Sequence, residues 1–209
     1  MTTHYINSLR SRQLSFVVLA LSLLASACST TRSGVRSWVD EKTAVTVTAQ
    51  QRAMVFYRDD FQSGVNIYDF ADLGAFEINQ SGKRSQYLCL LLWSTVARSD
   101  EYQSKVEEDF SNLVVWADDQ PVTFKRLTQN RDMVHLGDQA FKRSTSNAHE
   151  SYYEISLAQL ATLAAAKTLR ISPSNQAAGD SPYNAWRDDH AGLVAFMNEV
   201  SNTNRMINQ

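Results

Sequence analysis

Tyr87-Leu88-Cys89-Leu90-Leu91-Leu92-Trp93 is the stretch that decides how this chain folds. Successive side chains of a strand point to opposite faces. Leu88, Leu90 and Leu92 therefore share one face, and Tyr87, Cys89, Leu91 and Trp93 share the other. Both faces are apolar. A strand half open to water alternates apolar and polar residues instead. The segment is expected to be a central strand covered on both sides, so another part of the chain must supply the second cover.

The flanking sequence places this strand in an antiparallel sheet. Leu73-Gly74-Ala75-Phe76-Glu77-Ile78 precedes it, and Asn79-Gln80-Ser81-Gly82-Lys83 is a turn signal. Together they predict a hairpin with a loop of four or five residues. Leu113-Val114-Val115-Trp116 and Val122-Thr123-Phe124 predict a second hairpin, with Asp118-Asp119-Gln120-Pro121 as its turn. Thr43 to Thr48 alternates with period two, and Met54-Val55-Phe56-Tyr57 is a further β-favouring run.

Helices are expected late in the chain. Ser156-Leu157-Ala158-Gln159 has the form of a capping box, followed by Leu157, Leu160 and Ala164 at helical spacing. A strand over residues 168–172 follows. The last helix is expected to start near Asp188 or Asp189 and to carry Leu193, Phe196, Met197 and Val200 on one stripe. Residues 129–151 and 173–185 read as loops by composition. The fold class is α+β: an antiparallel β-sheet of two hairpins plus further strands, with two C-terminal helices packed on it. A β-sandwich with peripheral helices is the alternative.

The start of the chain carries an address. Arg10 and Arg12 precede an apolar run from Leu14 to Leu24, broken only by Ser15 and Ser22. That run is too short to cross an apolar layer about 30 Å thick at about 1.5 Å per residue. Ala25-Ser26-Ala27 suits a signal-peptidase site. Residues 1–27 are thus expected to be a signal peptide, residues 28–37 a flexible tether and residues 38–209 a single globular domain. A buried N-terminal helix is the competing reading of the leader.

Leu24-Ala25-Ser26-Ala27-Cys28-Ser29 resembles the lipobox of bacterial lipoproteins. The resemblance implies cleavage between Ala27 and Cys28, with Cys28 as the lipid-bearing first residue. The family prefers Leu three places before the cysteine, where this chain has Ala25 and carries Leu24 one place early. Ala25-Ser26-Ala27 also fits an ordinary A-x-A site, which would give a soluble periplasmic or secreted product. Ser29, rather than Asp, beside the cysteine implies outer-membrane rather than inner-membrane location. Two or three acyl chains anchor a domain firmly where one is marginal. The rest of the chain loosely resembles uncharacterised lipoproteins of Gram-negative bacteria, and this imports no activity.

Composition and motifs narrow the chemistry. Two of the 20 basic residues and none of the 22 acidic ones lie in the leader, which leaves the remainder at a net −4. Such a body has no electrostatic footprint for nucleic acid. With Cys28 lipidated, Cys89 has no disulfide partner and reads as a buried apolar residue. His135, His149 and His190 lack metal-ligand spacing and read as solvated surface residues. Asp59-Asp60, Asp118-Asp119 and Asp188-Asp189 read as turns and caps. Tyr152-Tyr153 on a strand would face opposite ways, leaving at least one of them open to an interaction. The chain has no nucleophile elbow, phosphate loop or dinucleotide fingerprint.

The resulting expectation is a non-catalytic accessory module, anchored to the bilayer through acylated Cys28 and contacting another envelope protein. No cofactor, metal or catalytic residue is expected. A periplasmic small-ligand-binding domain and, behind it, a hydrolase are the alternatives. A deep aromatic-lined pocket would favour the first, and a serine or carboxylate bonded to a histidine would favour the second.

Overall fold

The computed structural model describes residues 34–62, 65–173 and 182–207. The expected signal peptide, the cleavage point at Ala27 and Cys28, and residues 28–33 of the expected tether lie outside the described residues. Among those described there are ten strands: β1 Val35–Asp40, β2 Val45–Gln50, β3 Met54–Gln62, β4 Val65–Gln80, β5 Lys83–Ser94, β6 Asn112–Ala117, β7 Gln120–Thr128, β8 His149–Glu154, β9 Leu169–Pro173 and β10 Tyr183–Arg187. The helices are α1 Asp100–Asp109, α2 Leu157–Ala165 and α3 His190–Ile207, with one 3-10 turn at Arg131–Val134. The fold is α+β, an antiparallel sheet carrying two C-terminal helices.

The strands run in the order β1-β2-β4-β3-β10-β9-β6-β7-β8-β5, and β4 pairs with β5 as well. That last pairing closes eight of the strands, from β4 round to β5, into a ring. The length of β4 makes closure compatible with the attached β1-β2 pair. Its first half pairs with β3 from Val65 to Leu73, and its second half pairs with β2 from Phe76 to Asn79. Between the two partners, the Ala75 N–H would be left without a strand acceptor. The buried Gln50 side chain takes it, Oε1 accepting at 3.0 Å.

β5 is covered on both faces, as its sequence requires. Leu88, Leu90 and Leu92 belong to the larger core with Phe56, Leu73, Leu113, Val115 and Ile171. The two late helices serve this face. α2 brings Leu160 and Leu163 to it, and α3 brings Leu193, Phe196 and Val200. α3 lies against α2 and against β1, β2 and β4. Cys89 and Leu91 belong to a second core on the other face. Its cover is the segment between β7 and β8, through Val134, Leu136, Ala140 and Phe141. That segment is a loop, as its composition suggests, but an inward-packed one. Phe141 lies against β4 at Gly74, where a Cβ would sit 2.3 Å from the ring. The carboxylate of Asp40 fastens the loop by accepting from Gly137 N at 2.7 Å and Asp138 N at 3.0 Å.

Several local expectations are corrected. The expected tether includes residues 35–37, yet these lie in β1, where Val35, Arg36 and Ser37 pair with Gln50, Ala49 and Thr48. The first hairpin turns on two residues, Ser81 and Gly82, whose φ values are 53° and 91°. The second turns on Asp118 and Asp119, at 47° and 67°. Both are two-residue turns with positive φ at each position, which match the twist of the flanking strands. Pro121 is not in the turn but in β7, opposite Trp116. Ala117 and Gln120 close the turn as a hydrogen-bonded pair, so Pro121 falls in a non-bonded pair and the N–H it lacks would point away from β6. Asp59-Asp60 lies within β3 rather than in a turn, and two expected loops give up their ends to strands, residues 149–151 to β8 and residues 183–185 to β10. Tyr152 and Tyr153 do point opposite ways, into the second and first core respectively, and both are fully buried.

The capping box is present as read, with Ser156 Oγ accepting from Gln159 N at 3.2 Å and Gln159 Oε1 accepting from Ser156 N at 3.0 Å.

The contact at Gly74 makes a stability prediction. Gly74→Ala overpacks the site and is expected to cost about 1–3 kcal/mol. Phe141→Ala is expected to cost about 3–5 kcal/mol. In the double variant the alanine methyl occupies space the ring has left, so urea unfolding should give a total below the sum by at least about 1 kcal/mol. Additive losses would refute the packing of Phe141 on Gly74.

Candidate functional site

The helix α1 forms one wall of a largely apolar hollow. Ser99 caps it, its Oγ accepting from Tyr102 N at 3.2 Å, and Asp100 and Glu101 place negative charge at its first turn. Tyr102, Gln103, Val106 and Glu107 recur at helical spacing and look onto a cavity of about 190 Å³. The opposite wall is Phe70 and Trp93, stacked with centroids 4.2 Å apart, together with Leu92. His149, the first residue of β8, stands at the rim.

A chain of polar groups lines this cavity. Asp69 is buried and accepts from Tyr102 Oη at 2.5 Å and from Arg98 Nη2 at 2.9 Å, with Arg58 Nη2 at 3.4 Å. Arg98 lies over the Tyr102 ring at 4.4 Å and Arg58 over the Tyr183 ring at 4.7 Å. The Gln103 amide donates to the Arg98 carbonyl at 3.0 Å, which turns its oxygen toward His149 Nε2 at 2.7 Å. His149 Nδ1 meets the Glu107 carboxylate. Glu107 in turn accepts from Gln129 Nε2 at 3.0 Å. The network assigns the amide orientation here, since one end of Gln103 has a carbonyl to bond.

Burial and hydrogen bonding compete at Asp69. Burial alone would raise its pKa, but hydrogen bonds from Tyr102 and Arg98 and the Arg98 charge outweigh it and hold the carboxyl below its ordinary value. Burial, with the Asp69 hydrogen bond and charge, pushes the Tyr102 phenol up to about 12. Both groups therefore keep one protonation state across the neutral range.

The histidines differ from their expected role. His149 is half-buried and bonded at both ring nitrogens. His190 is half-buried, with Nε2 at 3.2 Å from the Leu163 carbonyl. His135 alone is exposed, in left-handed backbone at φ 56°. The His149–Glu107 pair has the form of the orienting half of a nucleophilic triad, but Nε2, which would take a nucleophile's proton, faces Gln103. The serines lining the cavity bond elsewhere, Ser94 Oγ to the Tyr68 carbonyl and Ser146 Oγ to Asn147 Oδ1. Cys89 is buried, and its thiol lies 3.8 Å from Glu150 Oε1. Burial and the neighbouring Glu150 charge raise its pKa well above the usual thiol value, which leaves it unreactive.

The sequence reading named neither α1 nor the cleft. α1 has no fully buried residue, so it lacks the apolar stripe that marks a helix in sequence. Ser99 followed by Asp100 and Glu101 was the available signal. Among the described residues no group of three or more His, Cys, Asp or Glu side chains is placed to hold a metal, and no helix is long and apolar enough to cross a membrane. Comparison with known protein families, curated proteins and solved structures finds no match.

Asp69 gives a pH prediction. A carboxyl held below its unfolded value stabilises the fold above that unfolded value, and the contribution is lost as pH falls through the folded value. Tyr102→Phe removes one of the bonds holding it down. The folded value then rises, and the acid limb of stability is expected to move to higher pH. Urea midpoints between about pH 2 and 5 measure this, and an acid limb identical to that of the unaltered protein would contradict the assignment.

Proposed function

We propose that this protein is an envelope lipoprotein, anchored to the outer membrane through acylated Cys28, whose folded body is a non-catalytic interaction module. The observation that carries the second half is the cleft under α1. Its volume, about 190 Å³, is below the range of about 300–1,000 Å³ that suits drug-sized ligands. That size fits one apolar or aromatic side chain of a protein partner. Beside it stands Trp186, 64% exposed, edge-on to Tyr57 at 5.1 Å and to Phe70 at 6.1 Å. A large exposed aromatic next to a small apolar socket is the composition of a protein contact. A small-ligand-binding domain is the second reading, favoured by the enclosure of the same cleft. The commitment of both His149 nitrogens weighs against a hydrolase.

Two experiments test this. Cys28→Ala is expected to release the protein from the membrane pellet in high salt, where the unaltered protein stays bound, and mass analysis of the unaltered protein should find acyl chains on its N-terminal peptide. A bare N-terminus in soluble protein would overturn the anchor. Val106→Trp fills the cleft from α1, so cross-linking in intact envelopes is expected to lose a partner that the unaltered protein captures. Undiminished capture would exclude the cleft as the contact.

A further inference from the structure

A second concavity, on the outer face of the ring, carries a different chemistry. It encloses about 480 Å³ and is lined by Arg36, Arg52, Lys142, Arg143 and Arg187. One carboxylate lines it, Asp72, which is buried and accepts from Trp93 Nε1 at 3.1 Å and Ser144 Oγ at 2.8 Å. Five cations from four separate segments have been gathered here, by β1, the β2–β3 connection, the β7–β8 loop and β10. Gathering them opposes their mutual repulsion, in a protein whose formal net charge is −2.

The cations are mostly unspent. Arg143 pairs with Glu150 at 2.9 Å, and Arg36 donates to the Ala140 carbonyl while lying over the Trp38 ring at 4.6 Å. Among the described residues Arg52, Lys142 and Arg187 are exposed and form no ion pair. The half-buried Asp189 feels the charges of Arg52 and Arg187 without bonding to either. A groove of guanidinium groups and one ammonium is suited to phosphate oxygens, which accept bidentate arginine bonds.

We infer that this groove takes the phosphate groups of anionic membrane lipids. The inference rests on the envelope-anchor reading, since the anchor is what brings a bilayer within reach. Seven residues separate Cys28 from Arg36, a span of at most about 29 Å over eight steps, so tether length keeps the groove within reach of the surface that holds Cys28. Anchor and groove would together fix one face of the body toward the bilayer.

The test uses the Cys28→Ala protein, so that no acyl chain contributes. It is expected to sediment with vesicles of phosphatidylglycerol in phosphatidylcholine and not with phosphatidylcholine alone. Binding should weaken with salt. Arg52→Gln, Lys142→Gln and Arg187→Gln should each lower vesicle affinity about 5-fold, and the triple variant about 100-fold. Lys125→Gln, outside the groove, should leave it unchanged. The single variants keep the result readable if the triple variant fails to fold. Equal binding by the unaltered and single-variant grooves, equal binding to neutral vesicles, or binding of inorganic phosphate without binding of vesicles would each overturn the inference. Mass analysis of the N-terminal peptide of the unaltered protein reports on the anchor alone, so failure of the anchor and failure of the groove are separate results.

Discussion

The double-sided strand β5 is the constraint on which the rest depends. A strand apolar on both faces has no stable position at a solvent boundary, because burying one face leaves a row of large side chains in water. Closure of the ring solves one face, since an eight-stranded interior is just wide enough for side chains to fill. Leu88, Leu90 and Leu92 enter that interior and meet residues of α2 and α3. The other face needs a second layer, and the β7–β8 loop supplies it. Gly74 belongs to the same solution, because only a residue without a Cβ lets the Phe141 ring come down onto the sheet.

A loop used as a core layer carries a cost that helices do not. Its backbone groups have no regular partners, and an unpaired buried N–H is expensive. Three carboxylates offset this and mark where irregular segments attach. Asp40 receives the backbone of residues 137 and 138. Glu150 holds Arg143 and Arg131 from the same loop and accepts the Tyr152 hydroxyl at 2.5 Å. Asp69 ties α1 and Arg98 to the ring. Each carboxylate is buried with several donors, the condition under which a charge in the interior is tolerated.

The two hollows follow from this arrangement. Where α1 is roped to the ring through Asp69 and His149, the rope is polar and the space beside it is apolar, so a small socket remains. Where the β7–β8 loop leaves the sheet, its basic residues meet those of β1, β10 and the β2–β3 connection without enough carboxylates to neutralise them. One hollow is walled mainly by apolar and aromatic side chains and the other mainly by cations.

How much of this was legible in the sequence follows from the range of the interactions. The strands around residues 87–93, both hairpins, the capping box at Ser156 and the amphipathic stripe of α3 are written in local pattern, because side-chain period and capping act over a few residues. Asp188-Asp189 likewise acts locally, Asp188 accepting from His190 N at 2.8 Å, whereas Asp118-Asp119 forms its local turn and also reaches far along the chain, Asp118 accepting from Lys167 N at 2.9 Å and Thr168 N at 2.9 Å. What the sequence determined is therefore the kind of element at each place, and that β5 must be buried on both sides. Only the tertiary structure decided what buries it, which end of β4 meets which partner, and that Arg36, Arg52, Lys142 and Arg187 stand together. Those outcomes depend on contacts between residues far apart in the chain, and no short-range pattern records them.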